Sequence, residues 1–175
     1  EAARAVFDAV EAKFGSADVL VNSAAIFEPG DLASLDEEQW ERHFRINLQA
    51  PAFFSRAFVE QLGPARRGHI INVADWRALR PAVGHLAYTL TKAGLVALTR
   101  QLALELAPRI QVNAVAPGAI LPPPGRGEEH LNRLEEQIPL RRTGFPKDVA
   151  GAVLYLLESD FTTGEILHVT GGQQL

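Results

Sequence analysis

The chain is 175 residues long, 47% hydrophobic and 22% charged, the size and balance of one globular domain rather than two. Its net charge of -4 at pH 7 supplies no basic field for a polyanion, so nucleic-acid binding lacks electrostatic support. It contains no cysteine, which excludes disulfides and thiolate ligands, and it has no secretory core or apolar span of membrane length. A cytoplasmic protein handling a small soluble molecule, with neither nucleic acid nor membrane as partner, is the expectation.

Ala3, Val6, Val10 and Phe14 recur at spacings of three and four, predicting an amphipathic helix from Glu1 to Phe14 that ends at Gly15. The apolar run Asp18-Val-Leu-Val-Asn22, followed by Ser23, Ala24 and Ala25, reads as a strand covered on both faces. From Asp36 a helix is expected through Trp40, Phe44 and Leu48 towards Phe58, because Ser34-Leu-Asp-Glu-Glu supplies capping oxygens and negative charge, and Pro51 should kink it. Gly68 to Val73 repeats the buried-strand pattern, a second long helix ends near Leu106, and Ile110 to Val115 forms a third strand. Between Pro117 and Gly127 lie four prolines and three glycines, the composition of a functional loop placed as a lid over a site. A helix opened by Pro146 runs through Leu157, and Ile166 to Val169 closes the pattern as a strand ahead of Gly171-Gly172. Strands alternating with helices mean an α/β, doubly wound parallel sheet with helices on both faces, whose ligands sit at the carboxyl ends of the strands. Residues 1–175 are read as one domain.

Tyr88-Thr-Leu-Thr-Lys92 starts the second long helix, and a spacing of four puts phenol and ammonium on one face. A cation there favours the phenolate and should lower the tyrosine pKa towards neutrality. A packed aromatic beside a solvated lysine would share that spacing, so context has to decide. The strand ending at Val73 delivers Ala74 and Asp75 to the same sheet edge, thirteen residues ahead of Tyr88, while the strands ending at Asn22 and before Pro117-Gly118 converge there too. The five histidines, His43, His69, His85, His130 and His168, show no paired metal-ligand spacing, so no metal is expected and they read as surface or packing residues, with His85 close enough to Tyr88 to touch a substrate. Arg77 and Arg80 read as salt-bridge partners rather than phosphate ligands.

With these residues in this order, the chain resembles the short-chain dehydrogenases/reductases. The family's Tyr-x-x-x-Lys matches Tyr88 and Lys92, its Asn-Asn-Ala-Gly motif appears as Asn22-Ser23-Ala24-Ala25, its helical asparagine matches Asn47, and its Pro-Gly turn matches Pro117-Gly118, with Gly164 and Gly171-Gly172 following in order. The resemblance implies a Rossmann-type fold and a catalytic set in which Tyr88 exchanges the proton, Lys92 lowers its pKa and holds the nicotinamide ribose, and Asn47 anchors a water of the proton relay. It also implies cofactor contacts at Asn22 and Ala24 on the adenosine side and at Pro117, Gly118 and the backbone of Ile120 on the nicotinamide. Relatives of this kind are oligomers, so a homo-oligomer is expected, a tetramer packed through the long helices that carry Asn47 and Tyr88.

Asp75 stands where most members have serine. A serine hydroxyl donates to a carbonyl oxygen, whereas an ionised carboxylate only accepts and repels a developing oxyanion, so simple ketone reduction is disfavoured. An aspartate suits a nitrogen heterocycle, by accepting from its N–H groups or, if burial raises its pKa, by relaying a proton to a ring nitrogen. This aspartate, the run to Arg80-Pro81 and the turn Val115 to Leu121 are similar to the pteridine reductase branch, as is Phe27, placed where that branch has an aromatic that sandwiches the pterin against the nicotinamide. Phe27, Asp75 and Tyr88 are therefore the implied substrate contacts, a pterin or folate-like molecule the implied substrate, and NADP the implied cofactor, with NAD left open.

The family's glycine-rich fingerprint and its first three strands have no counterpart in these residues, and Glu1 stands where a complete chain would have methionine. The expectation is the C-terminal part of a Rossmann-type domain. Two other readings stay open: a reductase of another carbonyl or imine, and a family-like fragment that serves as a binding or assembly module without catalysis.

Overall fold

The computed structural model describes residues 1–122 and 127–175, and at residues 128, 130 and 132 only the backbone. The expectation for His130 and the central part of the proposed lid therefore lie outside the described residues. Four parallel strands, β1 (Val19–Asn22), β2 (Gly68–Val73), β3 (Ile110–Pro117) and β4 (Ile166–Val169), lie side by side in chain order. The register pairs Asn22 with Asn72, Val73 with Val115 and Pro117 with Val169, which brings the carboxyl ends of neighbouring strands to one edge. The sheet is α/β and Rossmann-like.

β2 and β3 alternate their side chains between two helix layers. On one face Ile70, Ile110 and Val112 pack with Phe58 and Leu62 of α3 (Ala50–Leu62), Ala103 of α4 (Leu86–Leu106) and Phe7 of α1 (Ala2–Phe14). On the other, Ile71 and Val115 pack with Leu156 and Val153 of α6 (Pro146–Glu158). Both faces of β2 and β3 are thus covered, which is why apolar residues predominate along these strands. Val19 and Val21 of β1 are exposed at the sheet's edge.

Three expectations change in detail. The buried face of α1 is Ala3, Phe7 and Val10, whereas Val6 and Phe14 face solvent. Both sets satisfy helical spacing, and the larger Phe7 ring takes the interior by packing on Phe58. The irregularity at Pro51 is no simple kink: α2 (Glu37–Phe44) passes through one wide π-helical turn, Arg45–Gln49, before α3 begins. Proline has no N–H to give the carbonyl one turn back and presses its ring against it, and widening the turn ahead of it relieves both. Finally, Pro117 belongs to β3, so the strand runs two residues further than its apolar pattern indicated, and a helix not read from the sequence, α5 (Glu128–Glu135), follows the loop.

Candidate active site

β2 ends by handing its chain to a tight turn, and Asp75 begins it. One carboxylate oxygen, Oδ1, accepts from the Arg77 backbone N–H at 2.7 Å and caps the 3-10 turn Trp76–Ala78. The other, Oδ2, accepts from the Tyr88 hydroxyl at 2.9 Å. Turn-capping and pairing with tyrosine coexist on the two oxygens of one side chain.

Tyr88 and Lys92 lie in the first two turns of α4, and both are buried. Lys92 Nζ donates to the Val73 carbonyl at 2.7 Å, which ties α4 to the carboxyl end of β2. The expected electrostatics do not hold in this state. Burial, and then the Asp75 carboxylate, raise the Tyr88 pKa well above its ordinary value, outweighing the opposing influence of Arg77. Burial likewise pushes Lys92 down to about 8, with Asp75 opposing the shift. The spacing rule placed the two groups correctly but took no account of desolvation.

The segment after β1 is pinned over this pair. Asn47, at the wide helical turn and fully buried, accepts from the Ile26 N–H at 2.9 Å and donates to the Ile26 carbonyl at 3.0 Å and to Thr91 Oγ1 at 3.2 Å. Its side chain is therefore a clamp on the loop that presents Phe27. Gly30 bonds to both Gly84 and Leu86 backbones, holding the same loop against the start of α4. Phe27 meets Tyr88 edge-on with ring centroids 4.6 Å apart and stacks on His85 at 4.1 Å. His85 in turn donates from Nδ1 to the Glu28 carbonyl, the role that ring nitrogen must take opposite an acceptor.

Of the expected cofactor contacts, Asn22 turns its amide inward, donating to Asn72 Oδ1 at 2.9 Å and to Ser55 Oγ at 3.4 Å. Ala24 is exposed beyond it. Pro117 and Gly118 lie at the carboxyl end of β3, where Gly118 donates to the Val169 carbonyl. A Cβ on Gly118 would come within 2.6 Å of Gln173 Oε1 and 3.0 Å of Thr170 Cα, so the turn needs glycine for its close packing. Ile120 follows, half-buried, with its side chain packed over Gly144. Sequence reasoning missed the buried polar ladder from Asn22 through Asn72 to Thr99, which fixes the strand ends to α4. Asparagines inside apolar strand runs were its visible signal. Arg77 forms the expected ion pair, at 3.7 Å from Asp75, while Arg80 bonds to the carbonyls of Gln174 and Leu175.

Residues 1–174 match the family described as Enoyl-(Acyl carrier protein) reductase. The 3-oxoacyl-(acyl-carrier-protein) reductase FabG of Aquifex aeolicus is 37% identical over 89% of this chain and 64% of its own length. Glucose and ribitol dehydrogenase of Daucus carota is 38% identical over 95% of this chain and 59% of its own. The chain thus spans about three fifths of the length of these relatives. Among solved structures, FolM alternative dihydrofolate reductase 1 of Brucella suis in complex with NADP superposes with a TM-score of 0.93 at 32% identity, covering 98% of this chain and 69% of that one. The Brucella canis counterpart, also complexed with NADP, gives the same score and identity.

Proposed function

Because the chain belongs to the short-chain dehydrogenase/reductase family, we propose that it carries the catalytic half of an NADP-dependent oxidoreductase that reduces a dihydropteridine or dihydrofolate-type ring. The observation that carries this reading is the 2.9 Å bond from Tyr88 to Asp75 beside the Phe27 ring. It joins a phenol, a carboxylate and a flat apolar surface at one sheet edge, a set suited to a nitrogen heterocycle and unsuited to a ketone oxyanion. The relatives' names span other substrates, and the dihydrofolate reductase structures favour the pterin or folate class.

The residues present fit the cofactor. Lys92 is a buried ammonium whose one acceptor among the described residues is the Val73 carbonyl, which leaves N–H donors for ribose hydroxyls. The Pro117-Gly118 turn and the backbone of Ile120 would hold the nicotinamide, and Asn22 and Ala24 would line the adenosine side. When bound, the nicotinamide supplies a hydride to a ring carbon. Tyr88 then gives its proton to the neighbouring ring nitrogen, and the raised pKa keeps that proton in place until it is needed. Asp75 accepts from the ring's N–H groups and orients the phenol, Phe27 stacks on the ring, and Asn47 holds the Phe27 loop and the relay beneath it.

The test is kcat/KM of the full encoded protein with NADPH, for dihydrobiopterin and dihydrofolate beside a panel of simple ketones, in wild type and in Asp75→Ser. Serine restores the donor that ketone reduction uses, so pterin turnover should fall at least tenfold while cofactor binding holds. A wild type that prefers ketones, or an Asp75→Ser that reduces pterins equally well, sinks the assignment.

We also propose a homo-oligomer. Trp40, Phe44, Leu48 and Phe53 line an apolar groove along α2 and α3, with Gly94 and Leu98 of α4 on its far side. Glu41 and Arg45 line it too, so a second copy related by a two-fold axis would set acid against base twice. A tetramer would use this face as one of its two interfaces.

A further inference from the structure

Arg77 sits at the mouth of the same site with a charge that the proton-transfer scheme does not use. Its guanidinium is 3.7 Å from Asp75 Oδ1, within 4.9 Å of the Trp76 ring centroid and 5.7 Å of the Phe27 centroid, and its side chain is 26% exposed. Neither Arg77 Nε nor Trp76 Nε1 has a hydrogen-bond partner among the described residues, although both nitrogens are buried. Buried donors left unpaired carry a desolvation cost, which an incoming acceptor would relieve. At 3.7 Å the ion pair with Asp75 is too long for a direct hydrogen bond, so the guanidinium retains donor capacity beside the carboxylate.

An acceptor and a donor side by side on one turn match a ring edge with a donor next to an acceptor. The lactam edge, –NH–C(=O)–, has that pattern, with N–H and C=O on adjacent ring atoms. We propose that Asp75 and Arg77 together read a lactam edge of the substrate, Asp75 accepting its N–H and Arg77 donating to its carbonyl oxygen. Arg77 is then a specificity residue for heterocycles that carry an oxo group next to a ring N–H, and it rejects rings that carry an amino group there, because two donors would face each other. Its position over Phe27 places the charge next to the surface on which such a ring stacks. This inference rests on the heterocycle reading above and extends it to one named edge of the ring.

The experiment measures Kd in the presence of NADP+ for a pair of pteridines that differ at one position, oxo in one and amino in the other, against wild type, Arg77→Lys and Arg77→Gln of the full encoded protein. Wild type should favour the oxo ligand by roughly tenfold or more, the usual worth of one charge-assisted hydrogen bond against a donor–donor clash. Arg77→Gln, whose amide can either donate or accept, should bring the ratio close to one, and Arg77→Lys should keep part of it. Thermal melting of each variant separates loss of recognition from loss of fold. If Arg77→Gln weakens both ligands by the same factor while melting like wild type, Arg77 only positions Asp75 and the lactam assignment is overturned. The same holds if wild type binds both ligands equally. If wild type binds neither pteridine, the heterocycle reading itself fails, and the inference falls with it.

Discussion

Tyr88 donates its hydroxyl proton to Asp75 Oδ2 across 2.9 Å, and the negative charge it faces adds to burial in holding the phenol protonated. For the reductase proposed above this is the useful state, since the proposed proton donor starts with its proton. A bound substrate that donates N–H hydrogen bonds to Asp75 would draw charge away from Tyr88 and make the proton easier to release.

That coupling is measurable in the free protein. Asp75→Asn removes the carboxylate charge but leaves an oxygen to accept from the phenol, so the Tyr88 pKa should drop towards the ordinary tyrosine value, leaving burial and the opposing influence of Arg77. Phenolate absorbance across an alkaline titration reports it, with Tyr88→Phe as the blank for Tyr155. An unchanged titration in Asp75→Asn would mean the two groups are not electrostatically coupled.

Lys92 makes a prediction of opposite sign. Its folded pKa is depressed from 10.5 to about 8, so below that value the folded state holds a charge that its surroundings disfavour. Between about 8 and 10.5 the unfolded chain still binds the proton that the folded chain has released, and stability therefore rises with pH across that window. Relative to Lys92→Met, wild type should gain roughly 3 kcal/mol over the full interval, taking about 1.36 kcal/mol per unit. Urea unfolding at a series of pH values gives the difference curve; a flat one would place Lys92 in contact with solvent. By the same linkage, the cofactor should bind with proton uptake near pH 8 and more weakly above it, as calorimetry in buffers of different ionisation enthalpy would record.

Asn47 carries a structural prediction. Its amide makes three buried hydrogen bonds, two of them to the backbone of Ile26. Asn47→Ala strands those groups and should cost roughly 2–4 kcal/mol, with exchange of the Ile26 amide accelerated more than that of Ile70 in the core. If activity falls while Ile26 protection is kept, Asn47 matters through the relay alone rather than through the Phe27 loop.

The sheet was readable because β2 and β3 are covered on both faces, and their apolar runs advertise it. The sheet-edge position of Asp75, Tyr88 and Lys92 was readable because two strand ends and a helix start have to meet in a parallel α/β fold. What stayed hidden depended on three-dimensional desolvation or on choices between equivalent spacings. The rise in the Tyr88 pKa needs the depth of the site, and the Phe7 face of α1 needs to know which side the α3 helix takes. The stack of His85 on Phe27 joins residues 58 positions apart through the Gly30–Leu86 backbone bridge, which no local pattern announces.

The groove along α2 and α3 leads to the last prediction. Phe53 is half exposed on it, next to the stacked Trp40 and Phe44 rings, and an apolar surface of this kind on a free monomer would favour self-association. If a second copy covers it through a two-fold axis, Phe53→Asp should place a carboxylate in the centre of the contact and shift the protein to smaller species in light scattering. Arg45→Glu should do the same by setting acid against Glu41 of the other copy, and the double variant Glu41→Arg with Arg45→Glu should restore assembly, because a two-fold contact is unchanged when both signs are exchanged. Rescue by the double variant is the decisive outcome, since a mere loss of folding in the single variant would not be repaired by a second charge change. A monodisperse wild-type monomer, or a double variant no better assembled than Arg45→Glu alone, would rule out this groove as the contact between copies.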